Sequence, residues 1–215
     1  MVKHWLLGVV FALLLPAAAQ AESAAPYKAG DQYEVLDYPI PVQDQSKIVV
    51  TEVFWYGCPH CYHFRPMIEA WVKTLPPDVE FQMLPAALGR TWTVHAHAFY
   101  TEKALGVFDK MHDVLFDALA RDHEPLDDEN SLAKFFAQHG VDEQKFRQAW
   151  ESFGVNAEVQ QAASKVRGAM ITGVPTLLVD GKYKITGESA GSQENMLKVA
   201  DFLIKKEREA RQSKQ

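Results

Sequence analysis

Apolar and polar residues alternate along this chain with two different periods, and the switches between them mark its elements. Ile48 to Trp55 is apolar at nearly every position and rich in β-branched and aromatic residues. That pattern predicts a strand buried on both faces. Before it, Tyr33 to Leu36 predicts a short edge strand, ended by Tyr38-Pro39-Ile40-Pro41, and Gln43 to Lys47 a turn. After it, Phe64, Ile68, Trp71 and Leu75 fall at helical spacing, so they share one core-facing stripe. Pro66 lies inside this helix and predicts a kink, because it cannot donate to the Tyr62 carbonyl. Pro76-Pro77 ends the helix, and Val79 to Leu84 is the next strand.

From Thr91 to Arg167 the period is helical almost throughout. Helices are predicted over 92–105, 107–121, 129–138, 143–152 and 156–170, with Asp128 and Asp142 as N-caps. The strand pattern returns after Gly173. Thr176 to Val179 and Tyr183 to Thr186 predict a hairpin around Asp180-Gly181. Ser192 caps a last helix to Glu209. The order is β–β–α–β, then helices, then β–β–α. It predicts one α/β domain, residues 22–90 and 168–209, interrupted by a helical insertion, 91–167. Residues 22–32 are expected to form a mobile arm and 210–215 a frayed tail.

The N-terminus changes the setting. Lys3 and His4 precede ten residues, Leu6 to Leu15, that are too short an apolar run to span a bilayer. Pro16 and the small-x-small triplet Ala19-Gln20-Ala21 follow. Residues 1–21 therefore read as an export signal cleaved after Ala21. The 215 residues carry 22 basic and 28 acidic side chains, a formal charge of −6. Loss of Lys3 with the signal makes the mature charge more negative still. No basic stripe with interleaved aromatics appears, which argues against nucleic acid as a partner. An apolar content of 47% is enough for a full core without covalent staples.

Export gives weight to the cysteine count. There are two, Cys58 and Cys61, in Gly57-Cys58-Pro59-His60-Cys61. A bridge closing so short a loop removes little entropy from the unfolded chain, so a structural staple is a poor explanation. Pro59 suits the first position of a helix. Cys58 would then sit at that helix's N-terminus, where free N–H groups and the positive dipole end favour a thiolate. Cys61, nearly a turn deeper, would be the less exposed resolving thiol. His60 lies between them and would stabilise the Cys58 thiolate further, which favours the reduced form and makes the disulfide oxidising. Glu52 is a carboxylate in an apolar run, six residues before Cys58. It is either a strand-end residue turned to solvent or a buried acid beneath the cysteines that relays protons.

Two other chemistries use the same residues. A c-type haem site needs histidine after the second cysteine, and Tyr62 stands there. A structural zinc site wants four ligands, and there is no second cysteine pair. His95 and His97 would leave a helix on different sides, which does not suit joint ligation. Gly173-Val174-Pro175-Thr176 reads either as an ordinary loop entering a strand or as a cis Val174–Pro175 turn facing the cysteines. In the second reading the Val174 backbone would pair with an extended substrate.

Phe54-Trp55-Tyr56-Gly57-Cys58-Pro59-His60-Cys61-Tyr62, Glu52, Gly173-Val174-Pro175-Thr176 and the helical insertion together resemble the DsbA family of periplasmic disulfide oxidases. The resemblance spans Tyr27 to Arg208. It implies a thioredoxin fold with an inserted helical domain, and a redox-active Cys58–Cys61 disulfide donated to newly exported proteins. It implies reoxidation by a DsbB-like quinone-linked membrane protein, in the periplasm, by a monomer that needs no bound cofactor or metal. A disulfide reductase or isomerase is the nearest alternative, and a metal- or peptide-binding module using the same cleft the more distant one. Two positions depart from the family's best-known member. Arg65-Pro66 replaces acidic residues and is expected to make the field at Cys58 more positive. Met83 stands where a lysine accompanies the buried acid.

Overall fold

The computed structural model describes residues 25–213, so the expected export signal, residues 1–21, lies outside the described residues. The sheet has five strands in the order β1-β5-β4-β2-β3. These are β1 (Glu34–Val35), β2 (Ile48–Phe54), β3 (Val79–Pro85), β4 (Thr176–Val179) and β5 (Tyr183–Thr186). β2 pairs parallel with β3, matching Glu52 to Met83, and antiparallel with β4, matching Glu52 to Leu177. Hydrogen-bonded on both sides and covered on both faces, β2 needs apolar residues at successive positions, which its sequence supplies. The β4–β5 hairpin turns on Asp180 and Gly181, both with positive φ, 53° and 62°, and Lys182 N donates to Val179 O. These are the signs of a primed turn.

Helix α1 (Pro59–Val72) returns the chain from β2 to β3 with Pro66 inside it. With α8 (Gln193–Gln212) it covers one face of the sheet, burying Ile48, Val50, Phe64, Ile68, Leu177 and Leu203. The other face packs against the helices that lie between β3 and β4 in sequence. These are α2 (Arg90–Ala104), α3 (Phe108–Phe116), α4 (Glu129–Gln138), α5 (Glu143–Trp150) and α6 (Phe153–Gly168). A short α7 (Gly187–Ala190) joins β5 to α8.

The caps account for most helix starts. Asp128, Asp142, Ser152 and Ser192 each accept a backbone N–H two or three residues into the helix they open. Ser152 starts α6 three residues earlier than the apolar pattern places it, because Gly154 and Asn156 interrupt that pattern. The stretch predicted as one helix over 107–121 is α-helical only to Phe116 and continues as a π-helical turn, Asp117–Arg121. Two ends differ from expectation. From Ala25 on, the N-terminal arm is docked. The Tyr27 ring meets Phe202 edge-on at 5.6 Å, and its O–H donates to Asn195 Oδ1 at 3.2 Å. The tail is helical to Gln212, because Arg211 donates to Gln45 O and Lys47 O and pairs with Asp180 at 2.7 Å. Among the described residues no helix is long and apolar enough to cross a membrane.

Candidate active site

The turn from β2 into α1 is held from the side of the inserted helices. Trp55 stacks on Trp92 of α2 with centroids 4.3 Å apart and 7° between planes, and its Nε1–H donates to His95 Nδ1 at 2.8 Å. Because indole can only donate, His95 carries its proton on Nε2, 2.9 Å from Leu126 O. His97 instead faces the Trp150 ring at 4.8 Å, so the two histidines go to different partners. The indole also explains Gly57. A Cβ there would lie 2.5 Å from the Trp55 ring, so close approach, rather than a left-handed backbone, requires glycine.

Cys58 caps α1 in extended conformation, with Pro59 as the first helical residue. Its Sγ accepts the Cys61 N–H at 3.4 Å, and the free thiol donates to Val174 O at 3.5 Å. The Val174–Pro175 bond is cis. Cys58, expected to be exposed, is 7% exposed and Cys61 is sealed at 0%. The difference between them is kept, but both sulfurs belong to buried residues.

The Cys58 thiol is pulled down from its ordinary value to about 6. Hydrogen bonding from the Cys61 thiol is the largest cause. Burial opposes it, and the Cys61 and His60 backbone N–H groups add to it. The His60 charge contributes least of these, so the capping geometry matters more than the histidine that the sequence brings to notice. Burial pushes the Cys61 thiol up, and the neighbouring Cys58 pushes it further. His60 is tied to the far helix, its carbonyl accepting from Gln193 Nε2 at 2.7 Å.

Glu52 is 3% exposed, on the sheet face covered by α1. Its carboxyl is raised to about 8, first by burial and then by the negative Glu69 and Cys58. It accepts no hydrogen bond from any described residue. Instead it lines a cavity of about 330 Å³ between α1 and β3 with Arg65, Ile68, Met83, Phe108 and His112. Arg65, expected to add positive field at Cys58, spends its charge on Glu69 and Asp113, both at 3.3 Å, and lies over the Tyr62 and Phe116 rings.

One cluster has no counterpart in the sequence reading. Tyr56, two residues before Cys58, hydrogen-bonds Glu102 Oε1 of α2 and lies 2.6 Å from His112 Nδ1 of α3. All three are buried. The only sequence signals are single polar residues on otherwise apolar helical stripes, Glu102 near Phe99 on α2 and His112 between Phe108 and Phe116 on α3, which are common enough to pass unnoticed.

A strand ending in a turn, a capping cysteine with a lowered pKa, a sealed partner and a facing cis-proline define a thioredoxin-like redox protein. The DSBA-like thioredoxin domain family model matches residues 49–198. The chain is 43% identical over 212 residues to the thiol:disulfide interchange protein DsbA of Azotobacter vinelandii, covering 97% of this chain and 99% of that protein. It is 43% identical over 202 residues to the protein of that name from Pseudomonas aeruginosa PAO1, covering 94% of each. The crystal structure of Pseudomonas aeruginosa DsbA matches with a TM-score of 0.83 over 88% of this chain and 98% of that one. The chain belongs to the DsbA-like thioredoxin family and is a thiol:disulfide oxidoreductase.

Proposed function

We propose that the protein oxidises reduced, newly exported polypeptides by donating a Cys58–Cys61 disulfide. The observation that carries this reading is the asymmetry of the pair. The Cys58 thiolate is stabilised, and its partner three residues on is sealed and disfavoured as an anion. Each pKa unit below ambient favours the reduced form by about 1.4 kcal/mol, roughly 30 mV for a two-electron couple. With Cys58 near 6, about one such unit is realised at pH 7. That is a push towards an oxidant.

The reaction runs in two exchanges. A substrate thiolate attacks Cys58 Sγ, the Cys58–Cys61 bond breaks, and Cys61 leaves as a thiolate. That anion is expensive in its sealed site, and Glu52, neutral below about pH 8, supplies the proton. The Val174 backbone holds the substrate as an added strand while the mixed disulfide lasts. A second substrate thiolate then attacks the substrate-side sulfur and expels Cys58 as the stabilised thiolate. Two electrons pass from substrate to protein, and a DsbB-like quinone-linked membrane partner takes them away. Residues 1–21 direct export to the periplasm and are cleaved after Ala21. The protein acts as a monomer, with no cofactor.

Single substitutions at the cysteines test this. Cys58→Ser abolishes exchange, by about 1,000-fold or more. Cys61→Ser traps mixed disulfides visible on non-reducing gels. The opposite pattern would reverse the roles. A reduction potential at the thioredoxin end of the scale, measured against glutathione, would favour the reductase or isomerase alternative. Stoichiometric metal in the purified protein would favour a binding module.

A further inference from the structure

Beside the reactive cysteine the molecule carries a cleft of about 430 Å³. It is lined by Val174 and Pro175, by His60 and Gln193, and by Thr186, Gly187 and Glu188 where β5 passes into α7. Only two titratable side chains line it, His60 and Glu188. Glu188 is exposed, and no described residue forms an ion pair with it. Val174, one of the lining residues, also accepts from the Cys58 thiol at 3.5 Å, which brings the sulfur next to the cleft.

From this geometry we infer that Glu188 selects substrates with a lysine or arginine two residues from the reacting cysteine. The inference rests on the proposed strand-like pairing of substrate with Val174. In an extended peptide, side chains two residues apart share a face. If the substrate cysteine points down at Cys58, the side chain two positions away points down as well, about 7 Å along the strand. On the side that passes towards β5, that side chain enters the cleft. Its wall is apolar at Val174 and Pro175, and its rim ends in a lone carboxylate. A long cationic side chain matches this order, its methylene stem on the wall and its charged tip at Glu188. An acidic side chain would bring a second carboxylate to the same rim.

The test is single-turnover oxidation of dithiol peptides by the oxidised full-length mature protein, followed by stopped-flow fluorescence. The peptides carry lysine, glutamine or glutamate two residues before the first cysteine, or two residues after the second. At low salt the lysine peptide of one of these series should react about fivefold faster than its glutamate counterpart, the size expected of one exposed ion pair. The preference should shrink at about 0.5 M salt. Glu188→Gln should abolish it and Glu188→Lys reverse it, with the glutamine peptides oxidised at the wild-type rate throughout. No charge preference in the wild type, or one that survives Glu188→Gln, would overturn the assignment while leaving the exchange reading intact. Failure to oxidise even the glutamine peptides would remove the exchange reading, and this one with it.

Discussion

Two glutamates are buried against the active-site strand and turn, and they are buried differently. Glu52 and Glu102 both lie among aromatic and aliphatic side chains, and burial raises both carboxyl pKa values. Glu102 is bonded to Tyr56 and stands 3.6 Å from His112 Nδ1, in a cluster joining α2 and α3 to the turn before Cys58. Glu52 has no such partner and lines the cavity between α1 and β3. The bond from the Tyr56 hydroxyl makes Glu102 a fastener between α2 and the turn. In the proposed exchange, an unpaired carboxyl that lines a cavity is the one that gives up its proton. Burial therefore does not distinguish a structural acid from a chemical one; its partners do. His112 borders both regions, with its own pKa lowered by burial and by Arg65 to about 3, so it stays neutral.

Substitutions should separate the two roles. The largest stability effect is expected at the fastener. Glu102→Ala leaves the buried Tyr56 hydroxyl without its carboxyl partner and should cost about 2–4 kcal/mol in denaturant unfolding. The exchange rate of the folded fraction should change little. A loss of exchange with no loss of stability would break the comparison.

At the other carboxyl the sign reverses. Glu52 has a folded pKa above its unfolded one, so its contribution to stability is fully present below about 4.5 and is lost as pH rises towards 8. Glu52→Gln should therefore be stabilising by roughly 3 kcal/mol at pH 7 and nearly neutral at pH 4. It should also slow the first exchange by at least about tenfold, because Cys61 loses its proton donor. Thermal melts across that pH range, with stopped-flow exchange at pH 7, would read both. Equal stabilisation at both pH values would mean that Glu52 is not a titrating group.

Smaller effects sharpen the picture. Met83 is the strand partner of Glu52, so Met83→Lys places an ammonium beside the carboxyl and should lower its pKa by about 1–2 units. The pH dependence of stability should flatten accordingly, which the same melts would show. The smallest change is expected at His60→Ala. The backbone donors and the Cys61 thiol remain, so the Cys58 pKa, followed by thiolate absorbance, should rise by about half a unit or less. A rise of several units would return the main role to the histidine.

Local patterns in the sequence determine much of this molecule. β2, the βαβ unit around it, the hairpin at Asp180-Gly181 and most helix starts rest on residue period, turn residues and caps, which act over a few positions. The polarity of the cysteine pair is legible for the same reason. Pro59 and the helix it opens place one sulfur at the cap and the other a turn deeper. Even the burial of Glu52 was one of two readings open to a carboxylate in an apolar run.

Tertiary structure alone decided the rest, because it depends on distant residues meeting. Gly57 is required by an indole that Trp92 and His95 hold from α2. Tyr56 matters through Glu102 and His112, 46 and 56 positions away. The expected mobile arm is anchored by Tyr27 on α8, and Arg65 is spent on Glu69 and Asp113 instead of on Cys58. Glu188 comes to the rim of the cysteine cleft only because β5 and α7 fold back beside Pro175. Period and capping reveal which residues form an element, whereas a partner far along the chain can be seen only once the packing has brought it close.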